Sequence, residues 1–334
     1  MIMTQQFKAL MVREKNGIFN AKVEQVLMGD ILKDEVVIKV AYSSVNYKDA
    51  LSASGNKGVT RTFPHIPGID AAGQVVSSTS ENIAEGDNVI VTGYDLGMNT
   101  WGGFGEYVSV PANWVIKLPE GLSLFEAMCL GTAGLTAGLS VYNLIHSGIG
   151  KEQGKIVVSG ATGGVGSISI AILSKLGYEV VAISGKKEED FIVHTLGAES
   201  IISREKFIDT YDQKAISKAD YSGGIDIVGG SILSGIIKSL KYSGAVTTCG
   251  NVASAEILTS IFPFILRGIK LIGIDSVEQP VEYKSKIWNL LAKEWKPTHL
   301  KDIVKEISME QLPDVLKTLL EGKAKGRYVL NHSL

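Results

Sequence analysis

Cysteine is almost missing from this chain: Cys129 and Cys249 are the only two in 334 residues. Two distant thiols build neither a disulfide framework nor a four-cysteine metal lobe, so a reducing, cytoplasmic setting is expected. An excess of one charge is missing too. Lys and Arg number 33 against 35 Asp and Glu, for a net charge of -2. That leaves little electrostatic footprint for a nucleic acid. Proline is sparse at 8, and no low-complexity linker or repeat occurs. The N-terminus, MIMTQQFKALMVREK, has no signal-peptide apolar region. A single apolar run, Ala127 to Ile145, approaches membrane-spanning length. Gly131, Gly134, Gly138 and Asn143 interrupt it and no basic anchors flank it, so it is expected to be a buried helix joining two domains.

Glycine, by contrast, is plentiful at 37, and hydrophobic residues make up 45 %. A globular chain of this length is expected to divide into two domains. The organising stretch is Ile156 to Ser169, IVVSGATGGVGSIS. Three β-branched residues suit a buried parallel strand, and Ile168, Ile170, Ala171 and Leu173 begin a helical pattern. Between them Gly160, Gly163 and Gly166 recur at three-residue spacing. Strand, glycine turn and helix together make a dinucleotide site: a tight turn, close backbone approach to a pyrophosphate, and close packing of helix on strand. Thr162, Gly163, Gly164 and Val165 are the residues expected at the phosphates, where free N–H groups and the helix dipole favour anions. The alternative is a glycine-rich turn in an ordinary α/β domain.

The chain before this point reads as short strands with turn signals: Phe7–Val12, Val36–Val40, Gln74–Val76, Gly86–Gly93 and Trp101–Val110. That spacing predicts a partly open β-barrel. Ser123 and Glu126 match a capping box at the start of a helix. From there strands and helices alternate, as in a doubly wound parallel sheet, with Leu271–Ile274 as its edge strand. The expected division is 1–124 and 271–334 for the β-rich domain and 125–270 for the dinucleotide domain.

The second strand ends VVAISGKK. An NAD site usually has a carboxylate there to bond the ribose 2′-OH. Here Ser184, Gly185 and Lys186 stand instead, and Arg204 follows the third strand. A hydroxyl and cations suit a 2′-phosphate dianion, and no carboxylate repels it, so NADP(H) is the expected cofactor. The alternative for these cations is ordinary solvated surface.

Several motifs now gather: SSVNYKDAL, FPHIPGIDAAG, WGGFGEYV, LGTAGLTA, VVSGATGGVGS, ISGK, FPFILRGIKLIGIDSV and a terminal GR. Spread over nearly the whole chain, they resemble the medium-chain dehydrogenase/reductase superfamily, and within its zinc-free quinone-oxidoreductase branch the YhdH/YhfP group, which includes acryloyl-CoA reductases. The resemblance implies a GroES-like catalytic domain, a Rossmann domain, NADPH and a homodimer. It also implies further cofactor contacts at Thr136, Asn251, Ile265, Ser276 and Arg327. The alternative for Thr136 is back-bonding within its helix. Zinc-dependent relatives place Cys near Asn46 and Gly-His-Glu at Gly68-Ile69-Asp70, so no metal is expected. His65 alone is a poor ligand set.

Without a Lewis acid, an activated alkene is the easier hydride acceptor. It needs donors at the developing oxyanion and a proton source. Asn46 and Tyr47 are the catalytic candidates, with Tyr47 also against the nicotinamide, and Asp49 orienting them. Their alternative is a capped helix start. Trp101, Lys48, Lys57 and Arg61 are candidates for the substrate entrance. The expected activity is NADPH-dependent reduction of a short enoyl thioester. A quinone or alkenal reductase, or a non-catalytic NADPH-binding protein, are the rival expectations.

Overall fold

The computed structural model describes residues 5–334. Contacts divide the chain into two units: Met1–Thr132, Val277–Ala292 and Val304–Leu334 form one, and Ala133–Ser276 with Lys293–Ile303 the other. The division falls later than the expected 124 and 270, because the helix after Ser123 and the strand after Arg267 each continue past those points.

The first unit opens with β1 (Gln6–Lys15) and β2 (Ile18–Leu27), a two-stranded antiparallel sheet. Asn16 and Gly17, both at positive φ, make the two-residue turn between Lys15 and Ile18. Asn-Gly is a strong hairpin signal, yet β2 was not among the strands expected. Then come β3 (Val36–Val45), α1 (Tyr47–Ala53), β4 (Asp70–Ser78), β5 (Asn88–Thr92), β6 (Tyr107–Val110) and β7 (Val115–Lys117). α2 (Leu124–His146) follows, with Ser123 and Glu126 in the expected reciprocal capping bonds. It is long and apolar enough to cross a membrane, but most of it is buried inside the protein. Gly131 breaks its helical backbone at φ 54°, ψ -155°.

The second unit carries β8 (Lys155–Val158), α3 (Gly164–Lys175), β9 (Val180–Ser184), β10 (Ser200–Ser203), α4 (Arg204–Tyr211), β11 (Tyr221–Asp226), α5 (Gly230–Ser239), β12 (Leu240–Thr248), α6 (Phe262–Arg267) and β13 (Lys270–Gly273). Its sheet is parallel throughout, in the order β10-β9-β8-β11-β12-β13. This is the expected doubly wound arrangement, with the order reversing between β8 and β11. Ile156, Val157 and Val158 are fully buried, each contributing about 1.5–3 kcal/mol by leaving water. Between β9 and β10 the connection is one short π-helical segment, Asp190–Thr195.

The chain ends in the first unit with α7 (Val281–Ala292), β14 (Val304–Ile307), α8 (Leu312–Leu320) and β15 (Arg327–Asn331). β15 pairs with β3, so the unit's main sheet runs β14-β15-β3-β4-β5-β7, with β6 also on β3. The C-terminal return therefore completes a sheet begun 280 residues earlier, as Tyr328 opposite Val45 records. Phe7 and Leu10 of β1, Phe104, and Leu312 of α8 are buried in one core cluster with Val37 and Val45 of β3.

Candidate functional site

In the second unit β8 delivers the chain into the glycine turn. Gly160 takes φ 60°, and Gly163 bonds back to the Gly160 carbonyl at 2.9 Å before α3 begins at Gly164. A Cβ on Gly166 would overlap the Gly160 carbonyl oxygen, so only glycine lets α3 pack this close to the turn. The turn lies at the carboxyl ends of the strands and at the reversal of strand order, where such sheets bind ligands. Thr162 and the N–H groups opening α3 stand there.

A small pocket adjoins the turn. Its walls include Thr162, Ile183, Ser184, Gly185, Lys186 and Arg204, and no carboxylate is among its lining residues. Ser184 Oγ donates to the Lys186 carbonyl and accepts from the Lys186 N–H, at 3.1 and 3.0 Å. The hydroxyl expected to meet a phosphate thus closes its own turn. Arg204 is the first residue of α4 and its guanidinium lies against Gly185. These residues fit a phosphate-bearing dinucleotide: a cradle that a Cβ would fill, a helix N-terminus, and two cations in a pocket whose lining includes no carboxylate.

Asp226, at the end of β11, was missed as a site residue. It accepts from Ser159 Oγ at 2.8 Å, Gly229 N at 2.9 Å and Thr248 Oγ1 at 3.3 Å. These bonds tie the ends of β8, β11 and β12 beneath the turn, and burial raises its pKa above the ordinary carboxylate value. Nothing in the local spelling GIDIVGG announces that convergence. Thr136 and Ser276, expected at the cofactor, are buried and bonded to each other at 2.8 Å. Asn251 and Ile265 are exposed, on the segment after β12 and on α6.

The first unit holds a buried polar cluster around Asp70. Its carboxylate accepts from Ser44 Oγ, from Asn46 Nδ2 at 2.8 Å, and from Thr132 N and Oγ1 at 2.8 and 2.5 Å. A Cβ at Gly131 would run into Ser44 Oγ and Asp70 Oδ2, so this break in α2 has room only for glycine, and the next residue's N–H, Thr132 N, donates to the carboxylate. Asn46 also donates to Ser44 Oγ at 3.1 Å and accepts from Arg327 Nη1 at 3.1 Å. Both ends of its amide are therefore committed, which corrects its expected role as a donor to substrate. Arg327 is corrected as well. It is 4 % exposed and bonds the Val45 and Cys129 carbonyls, so it braces the cluster rather than reaching a cofactor phosphate.

Asp49 is fully buried and accepts from Asn46 N at 2.7 Å and Ile69 N at 2.8 Å. It caps α1 and pins the loop before β4, a placement that agrees with its expected role of orienting Asn46 and Tyr47. Burial first, and then the neighbouring Asp70 charge, push its pKa up to about 7. A carboxyl whose folded pKa is raised stabilises the fold fully below its unfolded pKa and loses that contribution as pH climbs through the folded value. Asp49→Asn is therefore expected to gain stability relative to the parent as pH rises from about 4 to about 7, by on the order of 4 kcal/mol over the whole range. Urea unfolding at a series of pH values checks this; a difference that stays flat with pH would refute it. Tyr47 is the exposed member of the trio, 53 % accessible at the first position of α1. Of the entrance candidates, Lys57 is paired with Glu14 at 3.1 Å and lies over the Phe19 and Phe63 rings. Lys48 Nζ lies 4.0 Å from Met98 Sδ, Arg61 is exposed, and Trp101 Nε1 donates to the Pro64 carbonyl at 3.3 Å.

Comparison with known proteins agrees with both units. A family model of the alcohol dehydrogenase GroES-like domain matches residues 32–120, and one of zinc-binding dehydrogenase matches residues 164–293. YhfP of Bacillus subtilis, provisionally named a quinone oxidoreductase, is 43 % identical over 98 % of this chain and 99 % of its own. Its crystal structure with NAD bound superposes with a TM-score of 0.95, at 42 % identity over 98 % of this chain and 100 % of that one. The acrylyl-CoA reductase AcuI of Ruegeria pomeroyi is 38 % identical over 97 % of this chain and 99 % of its own. The YhdH oxidoreductase of Salmonella enterica, in complex with NADP, gives a TM-score of 0.94 at 36 % identity, covering 97 % and 99 % of the two chains. The zinc in the second description does not fit these residues. Ile69 has no donor atom, the Asn46 amide is committed, and Asp70 already accepts four hydrogen bonds. Among the described residues no three His, Cys, Asp or Glu side chains gather to hold a metal.

Proposed function

Since this chain belongs to the medium-chain dehydrogenase/reductase family, we propose that it is a zinc-independent, NADPH-dependent oxidoreductase that reduces the activated C=C of a short enoyl thioester such as acryloyl-CoA. The observation that carries the cofactor assignment is the Arg204 guanidinium and Lys186 beside a turn with no carboxylate. NADPH, when bound, supplies the hydride. Thr162 and the N–H groups of Gly164 and Val165 would hold its diphosphate, and Arg204 with Lys186 its 2′-phosphate. The near-full-length similarity to AcuI supports the enoyl thioester. The similarity to YhfP supports a second reading, a quinone reductase.

Hydride addition to the β-carbon leaves negative charge on the carbonyl oxygen and an α-carbon needing a proton. Tyr47 is our choice of proton source, its phenol presented by α1 while Asn46 and Asp49 hold the helix start in place. Tyr47→Phe is expected to lower kcat about 100-fold with NADPH affinity unchanged; an unaltered kcat would remove Tyr47 from proton transfer. We also propose a cytoplasmic homodimer. Leu258, Ile261, Ile265 and Leu266 are exposed near β13, and β13 is an edge strand with Leu271 partly open, a surface that favours pairing with a second copy.

The decisive experiment is steady-state NADPH oxidation with acryloyl-CoA, crotonyl-CoA and a benzoquinone, before and after dialysis against a chelator. Acryloyl-CoA is expected to be the best acceptor and dialysis to change nothing. Oxidation by the quinone alone would favour the second reading. NADPH binding with no turnover on any acceptor would leave a non-catalytic binding protein.

A further inference from the structure

Gly185, just after β9, lines the pocket beside the dinucleotide turn. Its φ is not in the left-handed region, so its backbone is one that any residue adopts. Conformation therefore does not require glycine there; space does. A Cβ at this position would lie 3.0 Å from Arg204 Nη2, 3.2 Å from Cζ and 3.6 Å from Nε. The guanidinium lies against the bare glycine, so a methyl group there would require it to move by a few tenths of an ångström.

The register explains how the two residues meet. β9 and β10 pair in parallel with Ser184 opposite Ser203. The next residue on each strand is Gly185 and Arg204. Ser203 Oγ then caps α4 by accepting from Lys206 N at 3.2 Å, which sets where Arg204 leaves the strand. On the other side, the Ser184–Lys186 bonds hold the Gly185 backbone. Both partners are placed by local structure, and the missing side chain lets the cation lie over the turn.

We propose that Gly185 is a specificity-determining residue: by having no side chain it seats the Arg204 guanidinium where a 2′-phosphate arrives, so that preference for NADP(H) over NAD(H) depends on the pair and not on Arg204 alone. This inference rests on the cofactor reading given above. Gly185 is a positioning residue, and Arg204 the group that touches the phosphate. Lys186, held within the same turn, supplies charge without this steric dependence.

The test is a double-mutant cycle on the full chain, with NADPH and NADH affinities measured by nucleotide fluorescence for the parent, Gly185→Ala, Arg204→Ala and the double variant. Gly185→Ala is expected to weaken NADPH about tenfold and NADH less than about twofold, and to add nothing further once Arg204 is alanine. Adenosine 2′,5′-bisphosphate against 5′-AMP should repeat the pattern without the nicotinamide. An unchanged NADPH:NADH ratio in Gly185→Ala overturns the proposal. So does a Gly185→Ala effect that persists in full on the Arg204→Ala background. A parent chain that binds neither nucleotide overturns the cofactor reading and this proposal together. Thermal melts of each variant exclude unfolding as the cause, and Gly185→Ser, with the same Cβ, must reproduce the alanine result.

Discussion

Charge reversal at Arg204 is expected to weaken NADPH binding by about 100-fold while NADH changes less than about threefold. Arg204→Glu removes charge-assisted hydrogen bonds to a phosphate, each of which contributes about 1.5–3 kcal/mol. It also sets a carboxylate against a dianion in a pocket whose lining otherwise contains none. Arg204 is exposed, so salt screens both effects, and the ratio of the two affinities should shrink between low salt and about 0.5 M. Nucleotide titrations at two ionic strengths check the result. Equal losses of NADPH and NADH would mean that the substitution damages the turn rather than the phosphate site.

Removing the carboxylate of Asp70 is expected to cost about 3–5 kcal/mol of folding stability, the range found when one member of a buried charge cluster is deleted. Asp70→Ala leaves the Ser44 and Thr132 hydroxyls, the Asn46 amide and the Thr132 N–H facing an empty space. It also leaves the fully buried Arg327 guanidinium without its largest favourable charge. Arg327 has little in reserve, because its Nη2 is already buried without a partner in the structure. Asp70→Asn keeps the volume but presents an amide N–H to a group of donors, so it should fall between the parent and Asp70→Ala. The urea midpoints of the three proteins measure this. A loss below about 1 kcal/mol for Asp70→Ala would show that Asp49 or solvent compensates the cation.

This cluster marks where sequence reasoning stopped. Read singly, Asn46 and Arg327 each suggest a ligand, and Asp49 suggests a group that orients its neighbours. In the folded chain they share one another: Arg327 Nη1 meets Asn46 Oδ1 across 281 positions of sequence, and Asp49 caps the helix that Asn46 begins. A side chain's polarity is written in the sequence, but the partner that satisfies it is not. Ser184 makes the same point at short range, since its hydroxyl closes a turn two residues long. The Asn16-Gly17 hairpin was legible by turn chemistry and was overlooked.

What the amino-acid order determined by itself was local and periodic: the β8–turn–α3 unit, the capping box at Ser123, the alternation that builds a parallel sheet, and the lack of a carboxylate after β9. Each depends on neighbours within a few residues, through backbone conformation, hydrogen-bond capping or the spacing of apolar side chains. Tertiary structure alone decided which buried polar groups satisfy one another, that position 131 has no room for a Cβ, and that Gly185 lies against the Arg204 guanidinium. Those outcomes depend on atoms brought together from distant positions, where desolvation makes an unpaired group costly and close packing leaves no room for an extra methyl.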